Sequence, residues 1–220
     1  MTPEPDLKRR MCPTCLRPSS TCICAWITPV ATAVEVVILQ HPLEVDNAKG
    51  SARLLHLSLP HSRLVTGDVF EASILQALLT QALQAPSTDQ PPRRAILLYP
   101  DTPNDRSPDL SPPPVLAPDD VREPSQLRLI VLDGTWRKSR KMLYQNPLLQ
   151  HLPRLALRDL PPSHYLIRKA HLPDQLSTLE ATCAALAQLE NRPEAYAPLL
   201  QAFDGFVAQQ LGYRKGQRVG

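Results

Sequence analysis

The stretch Leu127-Arg128-Leu129-Ile130-Val131-Leu132-Asp133 indicates the fold more strongly than any other part of the chain. It is an almost unbroken apolar run that ends at a lone acid, a pattern typical of a strand buried on both faces of a sheet. Residues 33–40 and 95–99 are further runs of the same apolar, β-branched kind. Such strands favour a largely parallel sheet, because helices must then cover both of its faces.

Helical periodicity in the other segments supports this α/β arrangement. Residues 48–57 and 71–83 carry apolar side chains three and four positions apart, as helices packed on a sheet do. Downstream, the pattern predicts a short strand over 164–168, a helix from 176 to about 190 and a last helix over about 193–211. The prediction is therefore a mostly parallel sheet with helices on both faces.

Four cysteines lie close together near the amino end, at Cys12, Cys15, Cys22 and Cys24. Their Cys-x2-Cys and Cys-x-Cys spacing allows all four thiolates to reach one tetrahedral zinc ion. Four sulfur ligands leave no open position for water, so such a site folds a module instead of performing chemistry. Two disulfides are the alternative, and they require an oxidising compartment. The sequence favours a structural zinc module over residues 1–30, followed by one domain over residues 31–220.

Length and composition limit the class of protein. The chain has 220 residues and a formal net charge of +3, which permits a nucleic-acid partner without arguing for one. No apolar leader precedes the cysteines, and no run approaches the roughly 18 apolar residues of a membrane helix. A soluble cytoplasmic protein with no membrane partner is therefore expected. The 25 prolines, many of them in residues 85–93 and 100–124, predict two long loops.

Three predicted strands end in residues suited to a ligand: Gln40-His41-Pro42, Leu98-Tyr99-Pro100 and Asp133-Gly134-Thr135-Trp136. Parallel sheets bind ligands beyond the carboxyl ends of their strands, so these loops are expected to converge on one edge. Farther on, Ser177 and Glu180 have the spacing of a capping box. The same helix start offers N–H groups to a ligand carboxylate, and the two uses are compatible.

Four cations occupy five positions directly after Trp136: Arg137, Lys138, Arg140 and Lys141. They lie at a predicted helix start, where the helix dipole disfavours positive charge, so an external anion such as an RNA phosphate would account for them. Arg168 and Lys169 extend this argument. The alternative for each is a solvated surface charge.

In this order, the motifs resemble the DTW-domain family, the tRNA-uridine aminocarboxypropyltransferases. The resemblance rests on the cysteine block, Gln40-His41-Pro42-x-Glu44, Leu132-Asp133-Gly134-Thr135-Trp136, and Tyr165-x-Ile167-Arg168-Lys169 followed by Leu176-Ser177-Thr178-Leu179-Glu180. It runs from about Cys12 to about Leu189. The glycine before Thr135 looks ordinary for bacterial members. Each motif is weak alone, and their order makes the set specific.

The resemblance implies a SPOUT-like fold with a trefoil knot in its carboxyl-terminal half. It implies that S-adenosylmethionine supplies a 3-amino-3-carboxypropyl group to N3 of a tRNA uridine and leaves as 5′-methylthioadenosine. The residues expected to bind this cosubstrate are Leu98, Tyr99, Pro100, Leu132, Gly134, Thr135, Trp136, Ser177, Thr178 and Glu180. Those expected to contact tRNA are His41, Arg53, Arg137, Lys138, Arg140, Lys141, Arg168 and Lys169.

Asp133 is the expected catalytic base of this reaction. The N3–H of uridine is a poor nucleophile until its proton is removed, so an acceptor must lie within hydrogen-bond reach. Burial at the end of an apolar strand increases the affinity of a carboxylate for a proton. The alternative is an aspartate that caps the helix beginning near Trp136. Trp136 itself either stacks on a base or braces the loop that holds Asp133.

Two other functions fit the same residues. A SPOUT-type RNA methyltransferase would use the same cosubstrate, because binding it does not decide which carbon at sulfur is attacked. A non-catalytic, zinc-containing RNA-binding protein would need only the cysteine module and the basic residues.

Overall fold

The computed structural model describes residues 10–83, 92–101, 112–157 and 176–216. The strands are β1 (Glu35–Gln40), β2 (Ser62–Thr66), β3 (Arg94–Leu98), β4 (Leu127–Asp133) and β5 (Arg154–Leu155). The helices are α1 (Ala52–Ser58), α2 (Ala72–Thr80), α3 (Trp136–Gln145), α4 (Pro147–Gln150), α5 (Thr178–Leu189) and α6 (Ala197–Gly216).

The five strands form one sheet in the order β2-β1-β4-β3-β5, and each neighbouring pair is parallel. From β1 the chain first passes outward to β2, and it then returns to the opposite side of β1 to form β3 and β4. The strand order therefore changes direction between β1 and β4, which is where open parallel sheets bind ligands. The predicted parallel sheet is confirmed.

Alternating side chains of the central strands build two apolar cores. Val36 and Ile38 lie in the core that α1, α5 and α6 cover, whereas Val37 and Leu39 lie in the core that α2, α3 and α4 cover. Burying a valine or isoleucine completely stabilises a fold by about 1.5–3 kcal/mol relative to its exposure. Helices on both faces, as predicted, account for the near-continuous apolar runs.

The structure adds two strands that the sequence pattern did not predict, β2 and β5. Both lie at the edges of the sheet. The side chains of β2 are half-buried or exposed, and β5 has two residues, so neither carries the apolar run of a central strand. Within the predicted loop 100–124, short 3-10 helices form at Pro118–Val121 and at Pro124–Gln126, in part outside that range.

Helix ends also differ from prediction. Helix α1 begins at Ala52, four residues later than expected, because the carbonyls of Ala48 and Gly50 lie in a turn that accepts hydrogen bonds from Arg17. Helix α2 ends at Thr80 and not at residue 83. Helix α6 runs over Ala197–Gly216 instead of 193–211, after turns at residues 192–197.

The predicted strand over 164–168 lies outside the described residues, as do Arg168 and Lys169. Residues 158–175, in the half of the chain for which the resemblance implies a knot, are not described either. The SPOUT-like topology and the knot therefore stay predictions. Within the described ranges, no helix combines the length and the hydropathy needed to cross a membrane.

Candidate active site

The carboxylate of Asp133 is held at the carboxyl end of β4, where its residue is only 5% exposed. Its Oδ2 accepts a hydrogen bond from Nε2 of Gln40 at 2.9 Å, and its Oδ1 accepts one from Oγ1 of Thr178 at 2.6 Å. Gln40 is the register partner of Asp133 on β1, and Thr178 is the first residue of α5. Three elements thus fix the orientation of one carboxylate.

The helix-capping alternative for Asp133 is wrong. The N-cap of α3 is Thr135, whose hydroxyl accepts a hydrogen bond from the N–H of Lys138. Gly134 lets this first turn approach closely, since a Cβ at Gly134 would lie 3.1 Å from the Cβ of Lys138. The side-chain cap of α3 is therefore Thr135, while the carboxylate of Asp133 accepts hydrogen bonds from Gln40 and Thr178.

The start of α5 is a complete capping box. Oγ of Ser177 accepts from the N–H of Glu180 at 3.2 Å, and Oε2 of Glu180 accepts from the N–H of Ser177 at 2.7 Å. The N–H of Leu179 donates to Oγ of Ser51. These bonds use backbone donors that a ligand carboxylate would need. The cap is confirmed, and ligand contact by Ser177 and Glu180 stays a prediction.

An aromatic stack forms the rim beside Asp133. The rings of Tyr99 and Trp136 stack with centroids 5.2 Å apart and planes 23° apart. Tyr99 is buried, and the guanidinium of Arg154 lies 5.2 Å from the centroid of its ring. Trp136 is 50% exposed. The indole therefore braces the loop through Tyr99 and still presents apolar surface to a ligand.

A cavity of about 590 Å³ opens near the carboxyl ends of β3 and β5. Its lining residues include Asp101, Pro113, Leu116, Arg154, Leu155 and Gln188. A volume of this size is in the range of small-molecule sites. The cavity is linked to the rim because Arg154 both lines it and lies over Tyr99.

His41 and Glu44 hold the turn after β1. The backbone N–H of His41 donates to the carbonyl of Asp133, and its Nδ1 accepts from the N–H of Leu43. Nζ of Lys138 lies 2.7 Å from Oε1 of Glu44, so an ion pair joins this turn to α3. His41 and Lys138 therefore have structural partners here, and their contact with RNA stays a prediction.

The remaining cations of α3 form an exposed basic face, defined by Arg137, Arg140 and Lys141. Arg140 donates to the hydroxyl of Tyr144, and Nζ of Lys141 is 3.8 Å from a carboxylate oxygen of Asp68. Pairs this exposed hold their charges weakly, so the face remains able to bind phosphates.

Arg53, on helix α1 at the opposite face of the sheet from α3, is half-buried. Burial of His56 lowers the pKa of its imidazole, and the positive charge of Arg53 lowers that pKa further.

The Sγ atoms of Cys12, Cys15, Cys22 and Cys24 all lie within 4.8 Å of one another. The Cys12–Cys24 and Cys15–Cys22 sulfur distances are 3.6 and 3.7 Å. Four thiolates at about 2.3 Å from one zinc ion would lie about 3.8 Å apart along each edge of the tetrahedron. The spacing fits a metal much better than disulfides, whose sulfurs are about 2.05 Å apart.

Two of these thiols have opposite electrostatic environments. The N–H groups of Cys15 and Thr14 lower the pKa of Cys12 to about 6, whereas burial raises the pKa of Cys24 to about 12. A buried thiol becomes a thiolate when a nearby cation compensates its charge. The residues therefore fit a structural Zn²⁺ ion that all four sulfurs would hold.

The cysteine module packs against α6. Nε1 of Trp26 donates to Oε1 of Gln209 at 2.8 Å, and Nε2 of the same glutamine donates to the carbonyl of Cys22 at 3.1 Å. A Cβ at Gly205 would lie only 2.2 Å from the Trp26 ring. Ile23 shares the apolar core with α5 and α6. The module therefore packs into the larger fold.

The family model described as DTW domain matches residues 9–211. The chain belongs to the DTW-domain family. It is 30% identical over 212 residues to tRNA-uridine aminocarboxypropyltransferase 2 of Drosophila melanogaster, covering 94% of this chain and 78% of the relative. It is 27% identical to the protein of the same name from Macaca fascicularis, covering 94% and 66%. No solved structure matches this DTW-domain chain.

A plant relative, tRNA-uridine aminocarboxypropyltransferase A of Arabidopsis thaliana, is 30% identical over 142 residues, which are 62% of this chain and 51% of the relative. The resemblance seen in the sequence is confirmed, and with it the expectation of a transferase enzyme. The DTW signature of this chain is the segment that carries Asp133 and Trp136.

Sequence reasoning missed part of the site. Gln40 was singled out only as part of a loop, although its amide donates directly to Asp133. Arg154 was not considered, because the strand that carries it is too short to be visible as an apolar run. The sequence did offer one signal, because Gln40 ends one buried strand and Asp133 ends another. Only the strand register shows that the two residues lie side by side.

Proposed function

We propose that this DTW-domain protein transfers the 3-amino-3-carboxypropyl group of S-adenosylmethionine to N3 of a tRNA uridine. The observation that carries the proposal is the buried Asp133 carboxylate, oriented by Gln40 and Thr178 at the switch point of the sheet. Relatives named tRNA-uridine aminocarboxypropyltransferase support both the substrate and the transferred group.

In this proposal Asp133 accepts the N3 proton. A uridine nitrogen attacks the carbon next to the sulfonium, and 5′-methylthioadenosine leaves as a neutral thioether. Positioned general bases contribute about 10²–10⁴-fold to such rates. Two hydrogen bonds that hold the carboxylate in one orientation support this role, because they leave little reorganisation for the reaction itself.

The cosubstrate would extend from the rim formed by Leu98–Pro100 and the Asp133–Trp136 loop into the cavity near β3 and β5, whose lining includes Asp101 and Arg154 but none of those rim residues. The volume of about 590 Å³ and the link through Arg154 to Tyr99 support this placement. Of the other predicted contacts, Leu132 lies near the end of β4, and Gly134 and Thr135 belong to the loop. The predicted contacts Ser177, Thr178 and Glu180 lie at the start of α5. Trp136 would then close over the adenosyl group or the target base.

The exposed basic face of α3 would bind the tRNA backbone. Arg137, Arg140 and Lys141 follow the Asp133–Trp136 loop within eight residues, so phosphates bound there would lie near the reacting base. The zinc module would support the fold and supply no chemistry, because four sulfur ligands close the site. We expect about one zinc per chain by elemental analysis, and a lower melting temperature for Cys12→Ser.

The function is tested in a strain that lacks the gene for this protein. Mass spectrometry of its tRNA should show loss of a uridine carrying the aminocarboxypropyl group, and a plasmid copy of the wild-type gene should restore it. A copy with Asp133→Asn should not restore it, and Asp119→Asn, at an exposed aspartate, is the matched control. Loss of a methylated nucleotide instead would identify a methyltransferase. Unchanged tRNA would favour a non-catalytic RNA-binding protein.

A further inference from the structure

The hydroxyl of Thr178 covers one oxygen of the Asp133 carboxylate. The distance between Oγ1 and Oδ1 is 2.6 Å, a length typical of a hydroxyl that donates to an ionised carboxylate. Asp133 is buried, whereas Thr178 is half-buried. Of the two residues, Thr178 is therefore the more accessible to solvent.

The other carboxylate oxygen also has a partner, since Gln40 donates to Oδ2. A substrate N–H that bonded directly to the carboxylate would compete with these two donors. A hydroxyl that donates one hydrogen bond can still accept others. Oγ1 of Thr178 can therefore accept the N3–H of uridine while it keeps its own bond to Asp133.

The position of Thr178 is well fixed for such a role. It is the first residue of α5, directly after the N-cap Ser177 whose capping box closes that helix start. Its carbonyl accepts a hydrogen bond from the hydroxyl of Thr182 one turn later. The backbone that carries the Thr178 hydroxyl is therefore held from both sides.

We propose that Thr178 relays the proton from N3 of the target uridine to Asp133, an inference that rests on the proposed function. The N3 proton moves to Oγ1 as the hydroxyl proton moves to Oδ1. The electron pair left on N3 forms the new bond to the carbon attached to sulfur. The carbon–sulfur bond breaks, and its electron pair stays on sulfur, which loses its positive charge. Asp133 finishes protonated and returns that proton to solvent.

The test compares Thr178→Val, which keeps the shape and removes the hydroxyl, with Thr178→Ser, which keeps the hydroxyl. Single-turnover transfer from S-adenosylmethionine to tRNA should fall about 10²-fold or more in Thr178→Val and stay within about tenfold of wild type in Thr178→Ser. Dissociation constants for S-adenosylmethionine and for tRNA, measured by titration, should change less than threefold in both variants, which would replace the cosubstrate contact expected for Thr178 from the sequence with the relay role.

The pH dependence separates a relay from mere orientation of Asp133. Without the relay, only uridine that has already lost its N3 proton attacks. The rate of Thr178→Val should therefore rise about tenfold per pH unit as long as the pH is below the pKa of N3. The wild-type rate should rise less steeply. Gln40→Met removes the other orienting bond and should slow the reaction without steepening its pH profile. Thr80→Val, at an exposed threonine of α2 whose hydroxyl also donates to a backbone carbonyl, should leave the rate unchanged.

Several results would overturn the relay. One is a Thr178→Val rate within tenfold of wild type while Asp133→Asn is inactive, which leaves the proposed function standing. A second is a weakened affinity for S-adenosylmethionine with a normal rate at saturation, which would make Thr178 a binding residue. If Asp133→Asn itself retained full activity, the proposed function would fail with the relay. Should Thr178→Val not fold, Thr178→Ala gives the same comparison.

Discussion

Two cross-strand pairs at opposite ends of the β1–β4 ladder contain buried carboxylates in contrasting surroundings. At the amino end, Glu35 pairs in register with Arg128. At the carboxyl end, Gln40 pairs in register with Asp133. Glu35 forms ion pairs with Arg128 and with Arg93, whereas the Asp133 carboxylate accepts hydrogen bonds from an amide and a hydroxyl.

From this difference in partners we infer different roles, stability for Glu35 and the proposed reaction for Asp133. Arg128 is fully buried, and it also donates to the carbonyl of Leu78 at the end of α2, so the Glu35 pair ties a helix to the sheet. The hydrogen bonds to Asp133 come instead from Gln40, at the carboxyl end of β1, and from Thr178, at the start of α5.

The largest effect is expected for Asp133→Asn. The rate of single-turnover transfer should fall about 10²–10⁴-fold, because an amide cannot accept the N3 proton. The free energy of unfolding should fall by only about 1–3 kcal/mol, because the amide oxygen can still accept from Thr178 while the amide nitrogen meets the donor of Gln40. Loss of stability with retained activity would reverse the roles assigned to the two carboxylates.

Arg128→Met should have the opposite profile. It leaves Glu35 buried with Arg93 as its remaining ion-pair partner, so the free energy of unfolding should fall by about 3–5 kcal/mol while the transfer rate per folded molecule stays the same. Urea denaturation measures the change. The matched control is Arg94→Met, which removes the more exposed ion pair with Asp120 and should cost at most about 1 kcal/mol. Equal losses in both variants would contradict the special role of Arg128.

Two glycines of α6 provide a comparison in which stability should change without involving either buried carboxylate. Gly205→Ala places a Cβ against the ring of Trp26 and should destabilise the fold by about 1–3 kcal/mol without altering the chemical step. Gly212→Ala lies on the same helix, with nothing within 4 Å of the added Cβ. It should be neutral or stabilise by up to about 1 kcal/mol through helix propensity. Thermal unfolding of the pair would show whether the cysteine module is packed on α6 in solution.

The smallest effect is expected for the basic face of α3. Replacing Arg137, Arg140 and Lys141 by glutamine should weaken tRNA binding about tenfold at moderate salt and flatten its salt dependence by about one unit per lost phosphate contact. The rate at saturating tRNA should be nearly normal. Filter binding across a salt series measures both quantities. An unchanged slope would remove this face from the interface and leave the Asp133 edge without its proposed RNA contact.

Much of the fold could be predicted from the sequence because it depends on local pattern. The apolar run over Leu127–Asp133 became β4 with the same bounds, and the capping-box spacing of Ser177 and Glu180 produced the cap. The cysteine spacing likewise brought four sulfurs together. In each case the signal lies within a few neighbouring residues.

The contacts that orient Asp133 could not be predicted in the same way. Gln40 and Thr178 lie 93 and 45 residues from it, and their meeting depends on strand register and on how α5 packs against the sheet. The Glu35–Arg128 pair is equally remote in sequence. Edge strands β2 and β5 were missed because tertiary pairing, more than local pattern, makes them strands.

We propose that the carboxyl edge of the sheet around Asp133 is the place where the aminocarboxypropyl group is transferred. The most direct measurement gives the purified protein tRNA and S-adenosylmethionine labelled either in the amino acid carbons or in the methyl group. We expect amino acid label to enter a uridine while methyl label leaves in 5′-methylthioadenosine, and Asp133→Asn to block both. Methyl label in the tRNA, with S-adenosylhomocysteine as the product, would contradict it.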